Sequence, residues 1–176
     1  MDQLEHLRVH LKGKVIVAGI GNSMRCDDGV GALLAAKIKD RFPFLVWEVG
    51  ETPENYLGKI VKENPQTVLF IDAGDFGGAP GEFRIVEAQE IKPANLFATH
   101  NASLELTINY LQNNIKADII FLMIQPKLIA FGDTLSPEVK QTLKVLGEWF
   151  LNEGQKEGCR GIGIPNRNSE KNPYSG

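Results

Sequence analysis

Short apolar runs alternate along this chain with stretches whose apolar residues recur every three or four positions. Residues 15–18 (VIVA) predict a buried strand ended by Gly19. From Asp28 to Arg41, Val30, Leu33, Leu34 and Ile38 fall at helical spacing, and Pro43 stops the pattern. Residues 45–49 predict a second strand. Thr52-Pro53 reads as a helix start, with Tyr56, Leu57, Ile60 and Val61 giving that helix one apolar face. Residues 67–71 (TVLFI) predict a third strand, followed at once by Asp72. Residues 83–87 predict a fourth, set off by the turn-rich GGAPG at 77–81. A helix is expected from near Ser103 to Asn113, then a buried strand at 118–124 (DIIFLMI). Ser136-Pro137 opens a last helix with Val139, Leu143, Leu146 and Phe150 on one stripe.

Strands alternating with helices imply crossover connections, hence an α/β fold with a mostly parallel sheet covered on both faces. The unbroken apolarity of VLFI and IIFLMI agrees, because central parallel strands are buried on both sides. Ligands in such folds bind beyond the carboxyl ends of the strands. That rule directs attention to the segments after Ala18, Ile71 and Ile124.

The chain has 176 residues, which suits one domain. We expect a catalytic domain over 1–151 and a mobile polar tail over 152–176, where large aliphatics almost disappear. Lys plus Arg total 19 against 22 Asp plus Glu, a net charge of −3, so no strongly basic nucleic-acid surface is expected. No apolar run approaches the roughly 20 residues that span a bilayer, and MDQLEHLRVHLKGK lacks the apolar centre of a signal peptide. A cytoplasmic protein without membrane insertion is expected. Two cysteines, Cys26 and Cys159, do not make a disulfide scaffold.

The first predicted strand leads into GIGNSMRCDDGVG at 19–31. A dinucleotide fingerprint would need glycine where Met24 stands, and no Gly-Lys-Ser/Thr of a P-loop follows. Asp27-Asp28 opens the helix. One aspartate would suffice as a cap, and two adjacent carboxylates repel, which makes a ligand-contacting carboxylate as good a reading as a structural one. Asp72 ends a central strand where α/β active sites lie, and Asp75 is expected in solvent. His100, in ATHNA, is the one histidine beyond residue 10. Two carboxylates and one imidazole suit Zn²⁺, Ni²⁺ or Mn²⁺. His6 and His10 stand four apart, but Leu7 occupies the place where a zincin helix needs Glu, so they read as solvated surface. Cys26 reads as a soft ligand, a reactive thiol or simply a small residue. Ser23 lacks the G-x-S-x-G setting of a hydrolase nucleophile.

Taken together and in this order, GIGNSMRCDDGVG, IDAGD, PGEFRI, THNASL and IQP resemble the maturation endopeptidases of nickel–iron hydrogenases. The likeness is collinear over roughly residues 14–150 and leans toward the branch serving formate-hydrogenlyase-type enzymes. The resemblance implies a three-layer α/β/α sandwich with a twisted, mostly parallel sheet of about five strands. It implies removal of a C-terminal extension from the hydrogenase large-subunit precursor after nickel insertion, and a classification with aspartic-type peptidases. On that pattern Asp28 and Asp72 are the catalytic carboxylates. Asp28, Asp72 and His100 contact the metal, a nickel presented by the precursor in a site that other divalent ions could also enter. The loop of Gly19, Gly21 and Asn22 is expected to bind the extended substrate. Two other classes use the same residues: a non-catalytic nickel- or precursor-binding chaperone, and a small metallohydrolase, which would bind metal tightly in isolation.

Overall fold

Five strands form one sheet in the order β2-β1-β3-β5-β4, in a computed structural model that describes residues 2–91 and 101–159. The strands are β1 (Val15–Ile20), β2 (Leu45–Gly50), β3 (Thr67–Ala73), β4 (Phe83–Glu87) and β5 (Asp118–Ile124). β1 runs parallel to β2 and β3, β3 runs parallel to β5, and β4 lies antiparallel on the edge beside β5. Every residue of β1 and β3 is buried, as unbroken Val, Ile and Leu in doubly covered strands require.

The period of two along each strand sorts the side chains into two cores. Val15, Val17, Leu69, Ile71, Ile120 and Leu122 share one core with residues of α1 (Gln3–His10), α2 (Val30–Ile38) and α5 (Pro137–Cys159). Ile16, Ala18, Val68, Phe70, Ile119 and Phe121 share the other with α3 (Leu57–Glu63) and α4 (Asn101–Asn114). Phe70 and Phe121 stack there with centroids 5.2 Å apart. The expected α/β/α sandwich of five strands is the fold observed.

Several boundaries differ from the pattern's expectation. β3 runs on through Asp72 to Ala73, and Asp72 pairs in register with Met123 of β5. The helix expected from Asp28 starts at Val30, behind a 3-10 turn over Cys26–Gly29, and no side chain caps it, because both aspartates are directed elsewhere. The polar tail expected from 152 is helical to Cys159. Gly154 allows that close passage: a Cβ there would lie 2.7 Å from Pro43 Cδ. Glu153, 9 % exposed, accepts from Arg8 Nε at 2.8 Å and Lys156 Nζ at 2.6 Å. Residues 160–176 lie outside the described residues.

Candidate active site

Close backbone approaches set the turn after β1 over the ends of the central strands. A Cβ on Gly31 would lie 2.2 Å from the Ile71 carbonyl oxygen and 2.3 Å from that of Ile20, so only glycine lets the start of α2 rest on β1 and β3. Gly21 has φ +135° and passes so near the Asp28 carbonyl that a Cβ would stand 1.9 Å from it. Gly19 was expected to touch substrate; it lies buried in β1, where a Cβ would be 2.3 Å from the Gly31 carbonyl oxygen. Its smallness serves packing of α2 on the sheet.

Asp27 and Asp28 lie on this turn, both fully buried. Asp27 Oδ2 accepts from the amides of Lys127 and Leu128, each at 2.9 Å, and from Ser136 Oγ at 2.8 Å. Its Oδ1 accepts from Ser136 N at 2.7 Å. Asp27 therefore ties the turn to the loop between β5 and α5, with a donor set adequate to hold a buried charge. Among the described residues Asp28 Oδ2 accepts only from Asn22 N, at 3.3 Å, and the Arg25 guanidinium stands 4.0 Å away. Asp28 Oδ1 has no hydrogen-bond partner among the described residues. A buried carboxylate so thinly solvated is costly, and it fits a cation or a proton-bearing ligand delivered from outside.

Asp72 is also fully buried, at the carboxyl end of β3, with Oδ1 accepting from Ala73 N at 2.8 Å. By strand alternation it belongs to the face carrying Val68 and Phe70, toward α3 and α4. Thus Asp28 and Asp72 occupy the same carboxyl edge of the sheet, one on the turn after β1 and one at the end of β3. His100, the third expected ligand, lies outside the described residues. Two carboxylates at that edge can hold a divalent ion or take a proton from water. Asp75 is exposed, as expected.

Residues that sequence reasoning missed build the surroundings. Gln125, 7 % exposed, accepts from the amides of Phe76 and Gly78 at 3.0 and 3.1 Å and donates to Asp75 Oδ1 at 3.1 Å. It holds the loop after β3 against the end of β5; the IQP motif was its only signal. Ser136 reads as a helix cap, and its partner Asp27 could not be inferred from spacing. Asn22, half-buried, donates from Nδ2 to Glu51 Oε2 at 3.1 Å. Cys26, buried at φ +51°, donates its amide to the Gly132 carbonyl at 2.7 Å and joins no metal-ligand cluster among the described residues. That link joins the 22–26 turn to the 128–132 loop, and the joined loops expose Met24, Leu128 and Phe131, the last 88 % exposed. Among the described residues no helix is long and apolar enough to cross a membrane.

Buried carboxylates at the carboxyl edge of a doubly covered parallel sheet stand where the sites of α/β enzymes lie. Residues 30–153 match the family described as hydrogenase maturation protease, a stretch that contains Asp72 and begins two residues after Asp28. The chain is 35 % identical over 129 residues to the hydrogenase 3 maturation protease of Escherichia coli K12, covering 72 % of this chain and 82 % of that protein. A nickel–iron hydrogenase maturation protease from Thermococcus kodakarensis superimposes with a TM-score of 0.75 at 30 % identity, covering 84 % of this chain and 99 % of that one. The solution structure of an endopeptidase from Escherichia coli superimposes with a TM-score of 0.69 at 31 % identity, covering 91 % of this chain and 100 % of that one. The chain belongs to the hydrogenase maturation protease family, on the branch these relatives define, and is a peptidase.

Proposed function

We propose that this peptidase removes the C-terminal extension of a nickel–iron hydrogenase large-subunit precursor in the cytoplasm, after nickel has entered the precursor's cysteine-ligated centre. The observation that carries this reading is Asp28: fully buried, with one carboxylate oxygen lacking a donor among the described residues, on a turn that glycines hold over the strand ends. Nickel is part of the substrate here. Asp28, Asp72 and His100 engage it, so a loaded precursor gains contacts that an empty one lacks. That engagement orients the scissile bond and makes the cut effectively intramolecular. One carboxylate of the pair takes a proton from water as the water oxygen adds to the peptide carbonyl. The C–N bond then breaks and the departing amine receives a proton.

The exposed Met24, Leu128 and Phe131 favour a macromolecular substrate over a small one, since apolar side chains left open beside a site suit an extended peptide. Asn22, half-buried at the same turn, is placed to meet that peptide, while Gly19 and Gly21 shape the turn beneath it. Asp28→Asn and Asp72→Asn, assayed separately on the precursor, are expected to lower cleavage by about 10²-fold or more with the fold retained. Normal cleavage by both folded variants overturns the assignment.

A further inference from the structure

At the opposite end of the sheet from Asp28 and Asp72, three side chains from two elements converge. His6 and His10 stand one turn apart on α1, with ring centroids 5.0 Å apart. Glu87, the last residue of the antiparallel edge strand β4, brings Oε1 to 3.5 Å from His10 Nε2 and 3.8 Å from His6 Nε2. One ligand atom from each residue lies within 4.8 Å of the others. The amino end of β3 is adjacent: Thr67 Oγ1 donates to the His10 carbonyl at 2.9 Å. The sequence pattern read the two histidines as solvated surface; they are instead half-buried, at 24 % and 18 % exposure.

We propose that His6, His10 and Glu87 form a second divalent-metal site, of the borderline-soft class that includes Zn²⁺ and Ni²⁺, distinct from the cleavage site. Ligands at about 2.0–2.1 Å in a tetrahedral shell stand about 3.3 Å from one another. The two imidazole–carboxylate separations exceed that by only a few tenths of an ångström, within reach of small side-chain rotations. Two imidazoles and one carboxylate are the donors such ions prefer. The carboxylate is already oriented: Glu87 takes part in a reciprocal capping box with Glu90, and its Oε2 accepts from Gln89 Nε2. Outer partners of this kind fix a ligand's direction. A polar cavity beside His10 and Glu87, also lined by Gln89, Gln112 and Asp118, leaves room for a water to complete the shell.

The ion would clamp α1 to the edge strand. Gln3 of α1 already accepts the Ile85 amide of β4 at 2.7 Å, so metal binding reinforces an existing contact that covers an open sheet edge.

The test uses untagged full-length protein and zinc chloride, followed by calorimetric titration and thermal melting. To remove the cleavage site's contribution, the titration is repeated in an Asp28→Asn/Asp72→Asn background. In that background one zinc is expected to bind and to raise the melting temperature, and the ligand variants are made in it. His6→Ala/His10→Ala, melting normally without zinc, is expected to weaken binding by more than about 100-fold; Gln89→Ala, which removes an outer partner, by about 10–100-fold. Glu87→Gln serves as an independent ligand variant, expected to weaken binding without removing either histidine. X-ray absorption at the zinc edge is expected to show two imidazoles. Zinc binding of equal affinity in the His and Glu87 variants, or no binding in the Asp28→Asn/Asp72→Asn background, overturns the proposal. Loss of precursor cleavage by Asp28→Asn alone bears on the cleavage site and leaves this one unaffected.

Discussion

Asp27 and Asp28 are adjacent and equally buried, yet their carboxylates have opposite fates. Asp27 accepts from the amides of Lys127, Leu128 and Ser136 and from the Ser136 hydroxyl, whereas among the described residues Asp28 accepts only the Asn22 amide, at 3.3 Å. The protein supplies four donors to the first carboxylate and, among the described residues, a single long one to the second. Replacing Asp27 by Asn turns an acceptor surrounded by donors into a donor among donors, and should cost about 3 kcal/mol in chemical denaturation. Asp28→Asn removes a poorly solvated charge and should leave stability equal or slightly raised while cleavage is lost. The reverse pattern would reassign the two residues.

The position of the Asp28 turn depends on Gly31. A methyl group there meets two backbone carbonyls at 2.2 and 2.3 Å, and neither can move without parting β1 from β3. Gly31→Ala should lower stability by about 2 kcal/mol or more and depress cleavage in step. Gly58, in α3, faces open space, so Gly58→Ala should instead raise stability by about 0.5–1 kcal/mol with cleavage unchanged. Melting curves of the two variants separate close packing from general sensitivity to added bulk.

Glu153 links the end of α5 to α1. Burial pushes its carboxyl pKa up, but the hydrogen bonds from Arg8 and Lys156 outweigh it and hold the pKa below its ordinary 4.5. A carboxyl whose pKa is depressed by folding contributes stability above its unfolded value, and that contribution is lost as pH falls through the folded value. Glu153→Gln should therefore melt lower than the parent at neutral pH, and the two should converge in acid below the folded pKa. A constant difference across pH would show that the pair contributes through packing alone.

Phe131 is 88 % exposed on the loop that borders the site. Burying such a ring against a peptide is worth about 1.5–3 kcal/mol. Phe131→Ser should leave the melting temperature unchanged and lower kcat/KM for the precursor by about 10-fold or more. Unchanged kinetics would place the substrate on another face.

Where an element's cause is local, it was legible in the sequence. The run DIIFLMI needs no partner to read as a buried strand, and its bounds agree with β5. The alternation of Val68, Leu69, Phe70 and Ile71 between two cores follows from the strand period itself. Features that rest on distant partners were not legible. The antiparallel direction of β4 has no local signature. The last turns of α5 look polar and glycine-rich; Arg8, 145 positions away from Glu153, helps place them. Asp28 stands out in the sequence as one of two adjacent carboxylates opening a helix and Asp72 as a polar residue at a strand end, but the division of labour between Asp27 and Asp28 depends on donors about 100 residues downstream. The meeting of His6 and His10 with Glu87 was hidden for the same reason.

The most direct test of the central claim is the mass of the precursor after incubation with the purified protein, in nickel-loaded and nickel-free forms. Loss of a C-terminal peptide from the loaded form alone is the predicted result, abolished by Asp28→Asn. Equal cleavage of both forms would contradict the role given to Asp28 and Asp72 as nickel-engaging carboxylates. Association without any mass loss, with a cognate precursor, would contradict the proposed processing of that precursor.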